Sequence, residues 1–211
     1  MLLNYQSFGE ASDKPTLVIA HGLFGSARNW RAIARQLSRD RLVVAVDMRN
    51  HGNSFHDDTH DYPTMAADLG AVIRHLGAPC DLLGHSMGGK AAMVLALSEP
   101  SLISSLIIVD IAPVAYEHSH LGHIEALQAL DIDALSSRKE ADELLIDQIP
   151  EDMVRGFLLQ SLDMDPSGNR WKINLSALEK AMDDIIGFPS VSGQFLGPTL
   201  FLRGGKNRLC R

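Results

Sequence analysis

Cysteine is scarce in this chain: its 211 residues include two, Cys80 and Cys210, in no CxxC or metal-ligand spacing. That excludes a disulfide framework and fits a reducing compartment. Long apolar runs are missing too, since no stretch reaches the roughly 18 residues that a membrane span needs. The start, MLLNYQSFGEASDKP, lacks a basic segment followed by a long apolar one, so neither a secretory signal nor a membrane partner is expected, and the expected location is cytoplasmic. A basic excess is also lacking. The formal net charge is -7 and no stripe of Lys and Arg is visible, which argues against a nucleic-acid partner, because counterion release needs clustered cations. Repeats and low-complexity segments are absent as well, which leaves solenoids aside.

What the chain has is an ordinary globular composition, 45% hydrophobic and 21% charged, at a length that fits one domain. Short β-branched runs alternate with helical patterns. The apolar runs TLVIAHG (16–22), RLVVAVD (41–47), CDLLGHS (80–86), SLIIVDIAP (105–113) and TLFLRGG (199–205) have strand length and end in turn residues. Runs apolar on both faces suit a parallel sheet covered by helices on each side. Helices are expected over 27–38, with Trp30, Ile33 and Leu37 on one face, over 64–76 and over 88–98. The βαβαβαβ order predicts a doubly wound, mostly parallel α/β sheet with ligands at the carboxyl ends of the strands.

Residues 114–196 break this rhythm with four successive helical patterns, near 119–130, 137–149, 150–162 and 174–186. SRKE at 137 and SALE at 176 match the capping box, and Pro150-Glu151-Asp152 reads as a first helical turn. An all-helical insertion between two strands is expected to cap the strand ends; its alternative is a helical subdomain that only stabilises. The expected organisation is therefore core over 1–113, cap over 114–196, and a last core strand with a divergent tail over 197–211.

Three stretches carry chemistry. Gly84-His85-Ser86-Met87-Gly88 is GxSxG between an expected strand and helix, the setting in which that motif holds a nucleophilic serine on a tight turn. A serine N-cap in a glycine-rich turn would explain the motif taken alone. HGLFGS (21–26) follows the first parallel run; with the residue after the serine it supplies the usual pair of oxyanion N–H donors, here Leu23 and Met87. Phe24 is expected either to line an acyl pocket or to be core. Asp110, in LIIVDIAPV, stands at the end of the next run, where a carboxylate orients an imidazole or simply caps a turn.

These stretches, with VDMRNHGNS (46–54), GHSMGGKAAM (84–93), VDIAPV (109–114) and the 157–178 segment FLLQSLDMDPSGNRWKINLSAL, resemble the α/β hydrolases, and in particular the small bacterial YbfF-type esterases, over roughly residues 15–205. The resemblance implies an α/β-hydrolase fold and a serine esterase acting on short acyl esters or thioesters without metal or cofactor. It puts the nucleophile on Ser86, the acid on Asp110 and the oxyanion donors on Leu23 and Met87. Phe24, His85, Phe157 and Trp171 are the expected substrate-pocket residues. Asp47, Arg49, His51 and Gly52 match a turn that is structural more than catalytic. The alternatives are a haloperoxidase-like or C–C bond hydrolase sharing Ser86 and Asp110, and a non-catalytic acyl-binding pseudoenzyme. A dehalogenase or epoxide hydrolase is disfavoured, because those carry Asp where Ser86 stands.

One part is missing from the pattern. In this fold the triad runs serine, acid, histidine, yet all nine histidines lie at or before position 123, and only His118, His120 and His123 follow Asp110. Their HxHxxH spacing puts them on no common helix or strand face, so a metal is not expected. They read as solvated imidazoles at the cap entrance, with a replacement base as the alternative. The resemblance places the base on a loop beyond TLFLRGG, after a further helix and strand, whereas six residues follow Gly205. The tail GGKNRLCR also departs from the family's GGNS turn and resembles out-of-frame translation or an early stop. The expectation is a chain truncated before its final helix and strand, with catalysis crippled and an exposed sheet edge at 199–203 through which copies associate.

Overall fold

The computed structural model describes residues 1–117 and 119–205. Its centre is a six-stranded sheet in the order β1-β3-β2-β4-β5-β8, formed by β1 (Tyr5–Phe8), β2 (Leu17–Ala20), β3 (Val43–Val46), β4 (Cys80–His85), β5 (Ile103–Val109) and β8 (Thr199–Leu202). Every pairing is parallel except β1 with β3. The sequence reading omits β1, whose YQSF has no apolar run because it lies at the sheet edge, half-buried. In β2 and β3 all residues are buried, since each strand is covered on both faces. Alternate residues point opposite ways: Val18, Val44 and Leu82 pack with Met65, Leu69 and Leu95, while Leu17, Ile19, Val43 and Leu83 pack with Ala27 and Ala34.

The covering helices are α1 (Arg31–Leu37), α2 (Tyr62–Leu76) and α3 (Met87–Ser98). Asp61 caps α2 by accepting from the Thr64 amide at 2.7 Å, and Gly77 ends it in the left-handed region that a Cβ disfavours, at φ 87°. The expected 27–38 helix opens instead as a 3-10 turn, Ala27–Trp30. Three residues per turn shift its phase, so the buried positions are Ala27 and Ala34, and Ile33 and Leu37 of the expected apolar face are exposed.

Between β5 and β8 lie α4 (Leu121–Gln128), α5 (Arg138–Leu144), α6 (Asp152–Leu158), α7 (Leu175–Lys180) and α8 (Met182–Ile186). This stretch is not all-helical as expected: β6 (Leu162–Asp163) and β7 (Arg170–Trp171) form a small antiparallel hairpin. Its turn follows from the DPSG sequence, in which Asp165 accepts from the Ser167 amide through its carboxylate and from the Gly168 amide through its carbonyl. The expected 174–186 helix breaks at Ala181 into α7 and α8, and its cap is Asn174, not Ser176, with the Asn174 side chain accepting from the Ala177 amide. At Ser137 half of the expected box forms, because the Glu140 carboxylate turns to Ser136.

The chain passes from β2 outward to β3 and then crosses back to β4, so strand order reverses between β2 and β4. The crevice at the carboxyl ends of such a pair is where ligands bind in doubly wound sheets. The loop after β2 and the turn after β4 meet there, and the α4–α8 stretch docks over it through Asn174 on Asn50, Gln160 on Asn29 and Ile185 on Tyr62. At the opposite sheet edge, β8 pairs with β5 and leaves Leu200, Phe201 and Leu202 at 49, 56 and 47% exposure. No helix among the described residues is long and apolar enough to cross a membrane.

Candidate active site

Ser86 joins β4 to α3 at φ 50° and ψ -119°, a conformation that costs a non-glycine residue about 1–3 kcal/mol. Surrounding bonds over-determine it. The Ser86 amide donates to the Val109 carbonyl at 3.0 Å, and its own carbonyl accepts from the Gly89 and Lys90 amides. The flanking glycines are required by proximity. A Cβ on Gly84 would lie 2.4 Å from the Gly88 carbonyl oxygen, and one on Gly88 2.5 Å from that of His21. The serine is thereby presented at the N-terminus of α3, where unpaired amides and the helix dipole favour developing negative charge.

The loop after β2 lies against this turn, since a Cβ on Gly22 would come 3.1 Å from Ser86 Cβ. Among the described residues the amides of Leu23 and Met87 donate to no acceptor, and both residues line one cavity together with Ser86. Asp110 follows β5 at φ 57°. His85 pairs with Val109 in the register of β4 on β5, so Ser86 and Asp110 are the residues just beyond two adjacent strand ends. The Asp110 amide donates to the Leu202 carbonyl at 2.7 Å.

Not every expected pocket residue is brought to this cavity. Phe24 is buried, but it lines a separate polar cavity shared with Arg28, Gln160 and Lys172. His85 turns toward Trp30, ring centroids 6.0 Å apart. Phe157 packs half-buried on the core from α6, and Trp171 is held in β7 opposite Leu162. These aromatics are taken up by packing, which the sequence alone does not separate from ligand contact. Of the late histidines, His120 lines the Ser86 cavity and stacks with His123, while His118 lies outside the described residues.

A family model described as alpha/beta hydrolase fold matches residues 15–144. The sn-1-specific diacylglycerol lipase ABHD11 of Danio rerio is 39% identical over 97% of this chain and 68% of its own length. The chain belongs to the α/β hydrolase family. The hydrolase is also 35% identical to Esterase YbfF of Escherichia coli over 90% of this chain and 74% of that protein. A solved structure titled Marine microorganism esterase superposes with a TM-score of 0.93 at 34% identity, covering the whole chain and 83% of the esterase. These three relatives are esterases or lipases by name, and the class is that of hydrolases.

Sequence reasoning misses part of the hydrolase's cavity: Tyr62, Lys90, Ile111, Tyr116, Ile185 and Ile186. One signal was available, because Lys90 is the sole charge in the apolar helix MGGKAAMVLALS. It is buried, and burial pushes its ammonium down to about 8.

A second polar group lies beneath the loops. His21 donates through Nδ1 to the Gly22 carbonyl at 2.7 Å and accepts from the Met48 amide at 2.9 Å. His51 donates to the Arg49 carbonyl and accepts from the Phe24 amide at 3.3 Å. His60 accepts from Asn50 and places Nε2 3.4 Å from Met87 Sδ. Each ring thus needs one nitrogen lone pair, which only the neutral imidazole has. Burial lowers their pKa values to about 4, 3 and 2 respectively. Asp47 completes the support by accepting from the Ala27 and Asn53 amides and from Asn4.

Proposed function

We propose that the hydrolase is built as a serine esterase for short acyl esters or thioesters, with Ser86 as nucleophile, Leu23 and Met87 as oxyanion donors and Asp110 as the triad acid. The observation that carries this reading is the strained Ser86 turn, held at a helix N-terminus and opening on a cavity beside two uncommitted amides. The Ser86 oxygen attacks the ester carbonyl, the oxyanion is met by both amides, and the C–O or C–S bond breaks to leave an acyl-enzyme and the free alcohol or thiol. Water then releases the acid. Both steps need a base for the attacking proton, and the 211-residue chain has no histidine after position 123. Catalysis by these 211 residues by themselves is therefore expected to be crippled. Residues 114–196 act as a cap that closes over the cavity.

A second reading is favoured by one observation: His120 lines the cavity with Ser86. There the imidazole itself takes the serine's proton. A fluorogenic acetate or butyrate assay tests both. The main reading predicts little turnover in the parent chain. Turnover lost in Ser86→Ala and in His120→Ala favours the second, whereas turnover lost in Ser86→Ala but kept in the triple variant His118→Ala/His120→Ala/His123→Ala requires some other base.

The β8 edge supports one further proposal, that copies associate through it. Three exposed apolar side chains on an edge with no further strand among the described residues are a template for strand addition. Sedimentation should show mass rising with concentration, and Phe201→Lys should return the protein to monomer. A parent chain that stays monomeric across the range contradicts this.

A further inference from the structure

We propose that Lys90 fixes the depth of the acyl cavity by pinning the end of α8 to the helix that carries Ser86. The proposal rests on the esterase reading for the cavity's use, but not for its construction. Lys90 stands one turn after the serine, its amide donating to the Ser86 carbonyl at 3.1 Å. Its side chain is 1% exposed.

The end of α8 is the part that needs holding. A five-residue helix has no independent stability, and its last carbonyls have no intrahelical partner. Donors from three separate elements converge on them. Lys90 Nζ donates to the Ile186 carbonyl at 2.8 Å and to the Gly187 carbonyl, with Ile185 O at 3.5 Å. The Tyr62 hydroxyl donates to the Ile185 carbonyl at 2.6 Å, and the Tyr116 amide to that of Ile186 at 3.0 Å. The ammonium also lies 5.6 Å from the Tyr62 ring centre and 4.8 Å from that of Tyr116, where the π faces offset part of the cost of burying a cation. Ile185 and Ile186, held by these bonds, form one wall of the Ser86 cavity. Lys90 is thus a positioning residue: it acts on a substrate through the wall it holds.

Lys90→Met keeps the length and unbranched shape of the side chain and removes all three donors, while Lys90→Arg keeps the charge. Two measurements test the proposal in a Ser86→Ala background, so that chemistry plays no part. Binding of neutral n-alkyl methyl ketones of increasing length is expected to tighten roughly fourfold per methylene until the wall is reached. In Lys90→Met that limit should move out by two or more methylenes, so that the longest ketone binds over tenfold tighter; Lys90→Arg should keep the parent limit. Amide exchange at Ile185 and Gly187 should quicken at least tenfold in Lys90→Met alone. If Lys90→Met fails to fold, Tyr62→Phe, which removes one of the converging donors, should give a smaller shift in the same direction. An unchanged length limit in the folded variant overturns the proposal whatever the exchange rates do. A shifted limit with an unreactive Ser86 would leave it standing while the esterase reading falls.

Discussion

The 211-residue chain is expected to hydrolyse a fluorogenic butyrate ester about 10⁶-fold more slowly than an α/β hydrolase with a complete serine, histidine and acid triad. The magnitude is that of base removal in subtilisin and corresponds to about 8 kcal/mol of transition-state stabilisation. The physical reason is the high pKa of the Ser86 hydroxyl: the alkoxide is negligible at neutral pH, and the proton must leave as the carbonyl bond forms. Ser86 keeps its strained turn and the amides of Leu23 and Met87, so a residual acceleration of about 10³–10⁴ over water is expected from binding and oxyanion contacts. Because triad members act as a unit, Ser86→Ala should then lower the rate less than about tenfold. Initial rates of the parent and Ser86→Ala chains check this. A parent rate within about 10²-fold of a complete triad enzyme contradicts it.

The second large effect is on stability. Folding holds His21, His51 and His60 neutral, with pKa values near 4, 3 and 2 against an ordinary 6.5, chiefly because burial disfavours the charged ring. The unfolded chain takes up these protons below about pH 6.5 and the folded one does not, so stability is complete above that pH and falls as acid is added. At pH 5 all three folded values have yet to be reached, and the loss is about 2 kcal/mol for each ring, or about 6 kcal/mol together. That is comparable to the whole stability of a typical domain. Denaturant melts at pH 7.5, 6 and 5 should show a steepening loss. His51 holds the Phe24 amide and His60 touches Met87, but both stay neutral while folded, so ligand binding at the Ser86 cavity should weaken in this range only as far as the chain unfolds. A flat profile down to pH 5 contradicts the neutral-ring account.

Much of this was legible because the strands of a covered parallel sheet must be apolar on both faces. LVIA, VVAV and CDLLGH could be read directly, and the order of the motifs placed Ser86 and Asp110 at strand ends. β1 was not legible, since an edge strand needs no apolar run. Neither was the β6–β7 hairpin, whose two-residue strands flank a DPSG turn between two expected helices and are too short to show a pattern. The glycines of GHSMGG read correctly as permitting a tight turn, but the reason at Gly84 and Gly88 is backbone proximity, which no spacing reveals. The cavity wall was the least accessible part. Lys90 stands out as the sole charge in an apolar helix, but its role shows only when Ile186, nearly a hundred residues away, is found accepting from it.

The central claim is that Ser86 is an acyl acceptor to which these 211 residues supply no histidine from beyond position 123. The most direct measurement is peptide mass mapping after incubation with an activated aryl acetate. Both acylation and deacylation need the base, so the acetyl group, once transferred, should stay. The account predicts a stable adduct on Ser86, formed at least about 10²-fold faster than on other serines because of the oxyanion donors, and absent in Ser86→Ala. Acetylation spread over surface lysines and serines, with no preference for Ser86, would contradict it.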